Sequence, residues 1–295
     1  MLGLVVAAYG KRYEVELDRI ELEVKQRISC VTRGKKTDLA CGDLVNIKLT
    51  DKAEGVVESS LPRKSLLYRS NAIKSKILAS NVTQIVIVLA TQPSFYEALL
   101  NRCLIAAEAA KIKPLIVLNK CDLNDATDAK NKLKLYQNLG YEVVHLSAKQ
   151  DITALEPYLA NHQSVLVGQS GMGKSTIINA LLPNQNVRTQ IMSEALDSGK
   201  HTTTATHLYH LDSKSSLIDS PGLQEFGLNH LSQFDLELAF VEFRPYLGKC
   251  RFNNCSHSHE PECAIIESIA QHKISAIRHA IYQVISTELR HNSAQ

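Results

Sequence analysis

Hydrophobic positions change their spacing twice along this 295-residue chain. Up to about residue 70 they alternate with polar ones. Tyr13, Val15 and Leu17 take every second place among charged residues, and Ile20, Leu22 and Val24 continue the rhythm. A period of two marks a strand with one buried and one wet face. Turn residues interrupt it at Tyr9-Gly10, Arg33-Gly34 and Cys41-Gly42-Asp43, which predicts short strands closing into a small barrel. From about 75 to 230 the apolar residues run together, at Ile85–Leu89, Leu115–Leu118, Val143–Leu146, Val165–Val167 and Leu217–Ile218. Strands covered on both faces read this way. Helical patterns such as Tyr96–Lys111 and Lys174–Leu182 lie between them, which predicts an α/β sheet of mostly parallel strands. Beyond about 232, Ile274, Ile277, Ile281, Val284 and Ile285 recur at helical spacing, the expected inner face of a helix covering a core. The units so defined are 1–72, 73–230 and 231–295.

Composition narrows the class without naming it. Hydrophobic content of 44% with 21% charged residues is that of a soluble protein with real cores. No apolar run approaches the ~20 residues of a membrane-spanning helix. Met1 to Val6 reads as a first strand rather than a signal peptide. Residues 1–70 hold 13 Lys/Arg against 10 Asp/Glu, an excess of three that equals the net charge of the whole chain. Arg33, Lys35 and Lys36 cluster in one loop, and Arg63, Lys64 and Arg69 near the exit, so the barrel is the expected contact for an anionic partner. Seven cysteines, three of them between 250 and 263, point to a reducing compartment and a metal rather than to disulfides.

Three short motifs then specify chemistry. Gly168-Gln169-Ser170-Gly171-Met172-Gly173-Lys174-Ser175 follows the strand Ser164–Val167 and opens a helix that continues through Thr176. This is the strand–loop–helix setting in which backbone N–H groups and a helix N-terminus surround phosphates. Lys174 would reach the β- and γ-phosphates, and the Ser175 hydroxyl would bind Mg²⁺. Asn119-Lys120-Cys121-Asp122 follows another apolar strand. The Asp122 carboxylate can accept from guanine N1–H and its amine together, Asn119 would brace the loop, and the Lys120 stem would lie on the base. Ser147-Ala148-Lys149 follows a third strand and offers the Ala148 N–H to guanine O6. Together these predict GTP or GDP rather than ATP. Asp219-Ser220-Pro221-Gly222 would hold Mg²⁺ through water at Asp219 and meet the γ-phosphate at the Gly222 N–H.

The loop Gly199-Lys200-His201-Thr202-Thr203-Thr204 lies between the phosphate loop and that strand. One of its threonines would cap Mg²⁺. The spacing leaves all three open, and Thr203 is the catalytic candidate among them. Position 223 is Leu, where many GTPases carry a water-orienting Gln. His201 is the candidate to act in its place, with Lys174 at the phosphates.

Cys250-x₄-Cys255-x-His257-x₅-Cys263 offers three thiolates and an imidazole, a ligand set suited to one tetrahedral structural Zn²⁺. His259 competes with His257 for the fourth place.

The order of these motifs is rotated: the guanine reader comes first, the phosphate loop roughly fifty residues later, and DxxG last. With a barrel before and a Cys₃His run after, and with GKHTTT and Cys250-Arg251-Phe252-Asn253-Asn254-Cys255-Ser256-His257, the chain resembles the ribosome small-subunit-dependent GTPase A family (RsgA, or YjeQ). That resemblance implies an N-terminal OB-type β-barrel, a circularly permuted P-loop GTPase domain and a C-terminal helical zinc-binding domain. It implies a cytoplasmic GTPase of late small-subunit maturation, stimulated by the small (30S) subunit and touching its 16S rRNA. The chain is expected to be a monomer with no membrane partner. RNA contacts would come from the zinc domain and the barrel, whose rings are Tyr9, Tyr13 and Tyr68. The alternative is a zinc-containing RNA-binding module that keeps GTP as a structural or switch ligand with little turnover.

Overall fold

The structure, a computed structural model, describes residues 1–19, 24–33, 39–70, 75–123, 126–183, 205–220 and 226–293. The barrel is built from β1 (Leu2–Tyr9), β2 (Arg12–Arg19), β3 (Val24–Thr32), β4 (Leu44–Leu49) and β5 (Glu54–Ser60). They pair in the order β1-β2-β3-β5-β4, and β4 returns to β1, which closes the sheet. Val5, Tyr13, Val15, Leu17, Ile28, Cys30, Val45, Ile47 and Val57 fill its interior as a core of its own. The alternation read from the sequence did not mark where β2 ends. Arg19 pairs with Val24 across a hairpin, so Val24 opens the next strand, while Ile20 and Leu22 lie outside the described residues. A separate hairpin, β6 (Leu66–Ser70) and β7 (Ser75–Ser80), follows the barrel.

The central sheet contains β8 (Gln84–Ala90), β9 (Lys113–Asn119), β10 (Glu142–His145), β11 (Gln163–Val167), β12 (Thr206–His210) and β13 (Ser216–Asp219). Their order is β10-β9-β8-β11-β13-β12, parallel except for β12. Every residue of β8 is buried, as the unbroken apolar run required. Helices α1 (Glu97–Ala109), α2 (Ala126–Asn138), α3 (Glu156–Leu159) and α4 (Lys174–Leu181) connect these strands. The chain moves from β8 outward to β9 and β10, then restarts at β11 on the other side of β8. Successive connections therefore diverge between β8 and β11, and a crevice opens at their carboxyl ends. Barrel and central sheet share a ladder, because β12 pairs antiparallel with β1 at Ala7↔His207 and Ala8↔Thr206.

The last region holds α5 (Gln233–Ala239), a 3₁₀ turn at Arg244–Tyr246, α6 (Ala264–Ala270) and α7 (Ala276–Ser293). A capping box starts α5: the Ser232 Oγ accepts from Asp235 N at 3.1 Å, and the Asp235 carboxylate accepts from Ser232 N at 3.0 Å. Leu236 and Ala239 of α5, with Phe240, Phe243, Tyr282, Ile285 and Leu289, belong to the same buried cluster as α1 and the central sheet. The helical pattern expected for α7 is half right. Ile274 and Ile285 are buried, but Ile277 and Val284 are 54% and 57% exposed. Arg278 takes an inner place instead, fully buried. Its Nε and Nη2 donate to the two Glu242 carboxylate oxygens at 2.6 and 2.9 Å, and its Nη1 donates to Asn101 Oδ1 of α1. Its guanidinium also lies 4.5 Å from the centre of the Phe240 ring.

Candidate nucleotide and metal sites

The carboxyl ends of β8, β9, β10, β11 and β13 lie along one edge of the sheet and carry the loops singled out from the sequence. Gly168 leaves β11 at φ +148°, and a Cβ there would stand 2.3 Å from the Val88 carbonyl oxygen. Only glycine brings the loop this close to β8. Gly173, at φ +95°, precedes α4 without any side-chain cap, so the first N–H groups of the helix face the loop. Such a terminus, bearing partial positive charge, is a cradle for phosphate. Ser175 and Thr176 stand on its first turn, and Lys174 Nζ donates to Gln169 O at 2.8 Å and also to Gly168 O. Ser170 and Gly171 are exposed at the rim, whereas Met172 is buried beneath.

Asn119 joins the loops. It is 2% exposed at the end of β9. Its Nδ2 donates to Met172 O of the phosphate loop at 3.0 Å, and its Oδ1 accepts from Ala148 N at 3.0 Å. A Cβ on Gly173 would fall 2.2 Å from that same Nδ2. Lys120 sits at φ +62°, and its Nζ donates to Gln92 O at 2.6 Å. Asp122 is exposed. The Ser147 side chain holds its carboxyl below the ordinary value, helped by the backbone N–H of Asp122 and by the charges of Lys149 and Lys120. Asp219 ends β13, paired in register with Leu166 of β11 beside the phosphate loop. Asp122 and the Lys120 stem thus stand at the same sheet edge as Gly168–Thr176, but the Ala148 N–H expected at guanine O6 is taken by Asn119 Oδ1 instead. Sequence reasoning missed Thr91, whose Oγ1 donates to Lys120 O at 3.1 Å. Its place at the carboxyl end of β8, beside the crevice, was the available signal. Gly199–Thr204, with His201 and Thr203, and Pro221–Leu223, with Gly222, lie outside the described residues.

The second cluster is tighter. The ligand atoms of Cys250, Cys255, His257 and Cys263 all lie within 4.8 Å of one another. Zn–S bonds of about 2.3 Å and Zn–N bonds of about 2.05 Å set tetrahedral edges of about 3.8 Å between sulfurs and about 3.5 Å from sulfur to nitrogen. The observed edges are 3.8 Å for Cys250–Cys263, and 3.6 and 3.4 Å from His257 Nδ1 to Cys250 and Cys263. The four residues fit one tetrahedral ion, with Nδ1 as the histidine ligand. His259 is exposed and outside the cluster, so the choice falls on His257. Cys30, Cys41, Cys103 and Cys121 lie outside this cluster. Sequence reading gave no role to Glu260. Its carboxylate accepts from Ser256 N at 2.7 Å and Ser258 N at 2.9 Å and so fixes the loop that carries His257.

Of the three expected rings, Tyr9 and Tyr13 stand on barrel strands and Tyr68 on the β6–β7 hairpin, and the Tyr9 ring meets His207 edge-on with centres 5.5 Å apart. Tyr9 is 38% exposed, but Tyr13 is 1% exposed in the barrel core, because its position in the alternation is an inner one. The Tyr68 ring packs against His230, their centres 5.3 Å apart.

A phosphate-loop strand at the centre of the sheet, with the DxxG strand on one side and, beyond β8 on the other, the strands before the two base-reading loops, defines a GTPase fold. The base-reading strands come first in the chain, so it is a circularly permuted one. A family model described as RsgA GTPase matches residues 60–229. "Small ribosomal subunit biogenesis GTPase RsgA" of Nitrosospira multiformis is 48% identical over 98% of this chain and 91% of its own length. The protein of the same name from Paraburkholderia phymatum is also 48% identical, over 99% and 92%. Among solved structures, YjeQ from Thermotoga maritima superposes with a TM-score of 0.76 at 29% identity, covering 98% of each chain. YloQ, described as a circularly permuted GTPase, gives 0.71 at 27% identity, over 98% of this chain and 94% of that one. The chain belongs to the RsgA GTPase family.

Proposed function

We propose that this GTPase acts in late maturation of the small (30S) ribosomal subunit, which stimulates its hydrolysis of GTP to GDP and phosphate. The curated relatives carry small-subunit biogenesis in their name. The observation that carries the site assignment is Asn119, one buried amide that binds the phosphate loop and the base loop together. Asp122 selects guanine, Ser147 holds its carboxyl, Asn119 ties Ala148 to the base loop, and Lys120 and Lys149 flank the base. Gly168–Ser175 and Thr176 hold the phosphates. Lys174 offsets the charge that develops on them, and Ser175 and Asp219 are the Mg²⁺ residues. Magnesium would supply charge stabilisation there. His201, Thr203 and the Gly222 N–H complete the site in this reading.

One Zn²⁺ at Cys250, Cys255, His257 and Cys263 has all four positions filled by protein, so it stabilises the fold rather than catalysing a reaction. The barrel (1–72) and the zinc domain (231–295) meet 16S rRNA on either side of the GTPase domain (73–230), and the protein works as a cytoplasmic monomer. Among the described residues no helix is long and apolar enough to cross a membrane.

Phosphate release from GTP, measured with and without purified small subunits and with large subunits as control, tests the reading. Stimulation by the small subunit alone is expected. Equal rates in all three mixtures would overturn it. Because DxxG runs directly into the helical zinc domain, subunit binding should also be tighter with a non-hydrolysable GTP analogue than with GDP. Linkage then requires the subunit to tighten the GTP analogue, relative to GDP, by the same factor.

A further inference from the structure

Between the first two cysteines of the metal cluster, the chain presents Arg251, Phe252, Asn253 and Asn254 side by side, all exposed. Phe252 is 42% exposed. The Arg251 guanidinium lies 5.4 Å from its ring centre. The loop beneath is fixed: Cys255 N donates to Phe252 O at 3.2 Å, and Arg251 N donates to Glu262 O at 3.2 Å. Glu262, itself exposed, holds the Arg251 side chain by an ion pair.

We infer that Phe252 is a stacking platform for one unpaired RNA base, with Arg251 moving from Glu262 to the adjoining phosphate. The chemistry is that of single-strand recognition. Every base has a π-face that a ring can cover, a guanidinium pairs with phosphate in fork geometry, and amides read base edges. Asn253 and Asn254 supply the amides next to the ring. A rigid loop lowers the entropic cost of ordering these groups on binding. This inference rests on the reading that the partner is the small ribosomal subunit.

The chain contains no tryptophan, so Phe252→Trp installs a sole indole reporter on the full-length protein. Binding of small subunits is followed in parallel by co-sedimentation. Stacking predicts strong quenching of the indole when the subunit binds, and no such quenching for Phe234→Trp, an exposed position on α5. Subunit affinity should fall about fivefold to a hundredfold for both Phe252→Ala and Phe252→Leu, and be retained by Phe252→Tyr. Failure to co-sediment at all would remove the proposed function itself. Co-sedimentation with an unchanged indole would remove only this inference. So would an indole that brightens and shifts to the blue while Phe252→Leu binds normally, since that pattern means an apolar protein contact.

Discussion

Replacing Glu242 by Leu leaves the buried guanidinium of Arg278 without its carboxylate. Two hydrogen bonds, at 2.6 and 2.9 Å, disappear, and the charge keeps Asn101 Oδ1 and the faces of the Phe240 and Tyr136 rings, but no anion. Arg278 has no exposed surface from which to recover solvation. Breaking a buried pair from one side costs about 3–5 kcal/mol. For a cooperative unit of this size that is a fall in Tm of roughly 6–20 °C. Replacing both partners, as Glu242→Leu with Arg278→Met, removes the charge as well as its counterion and should restore most of the loss. The assay is thermal unfolding of wild type, both single variants and the double variant, closed as a cycle. GDP affinity is measured on each, since Asn101 lies on a helix away from the base and phosphate loops. A single-variant loss below about 1 kcal/mol, or a double variant worse than the sum of the singles, would refute the reasoning that a desolvated charge sets this energy.

Gly173→Ala should weaken GDP binding at least about thirtyfold by calorimetry, because the new Cβ meets Asn119 Nδ2 at 2.2 Å and also strains a positive φ; near-wild-type affinity would mean the two loops are not tightly coupled. The Asp122 carboxyl lies below the ordinary carboxylate value, so its charged form, and guanine selectivity with it, should persist as pH falls through the usual range and fail only below it. Ser147→Ala should move that failure to higher pH in a GDP-binding titration, and an unmoved midpoint would remove Ser147 as the cause. A zinc chelator should lower the Tm of the wild type, and an unchanged melt would argue against a structural metal at Cys250–Cys263. Glu260→Gln should weaken zinc retention about 10- to 100-fold in competition with a chelating dye, since it removes the negative acceptor of the Ser256 and Ser258 N–H groups.

How far the sequence could be read depended on whether a residue's fate was settled by its neighbours in the chain. The five parallel strands of the central sheet were legible because each holds an unbroken apolar run, buried throughout in β8 and only partly in the edge strand β10. Strand β12 was not, because Thr206–His210 is polar at most places and is a strand only through its partners β13 and β1. The phosphate loop and Asn119–Asp122 were legible as strings, but not the fact that Asn119 ties them together. Arg278 was the clearest failure. Helical spacing assigned the inner face to Ile277 and Val284, whereas Glu242 and Asn101, 36 and 177 residues away, turn the guanidinium inward. His257 was the expected ligand and His259 its rival, and the loop fixed by Glu260 brings His257 to the sulfurs and leaves His259 outside.

Strand β1 divides its service. Leu2–Leu4 pair with β4 and shut the barrel, while Ala7 and Ala8 pair with β12 and seal what would be the open border of the GTPase sheet. The register with β2 shifts between Val5 and Ala7, where one duty passes to the other. Deleting the barrel is therefore not a neutral truncation. A fragment starting after residue 72 would carry a raw β12 margin, with unsatisfied N–H and C=O groups free to recruit another molecule's strand. For anyone expressing the GTPase part alone, the barrel acts as a guard against self-association as well as a neighbour.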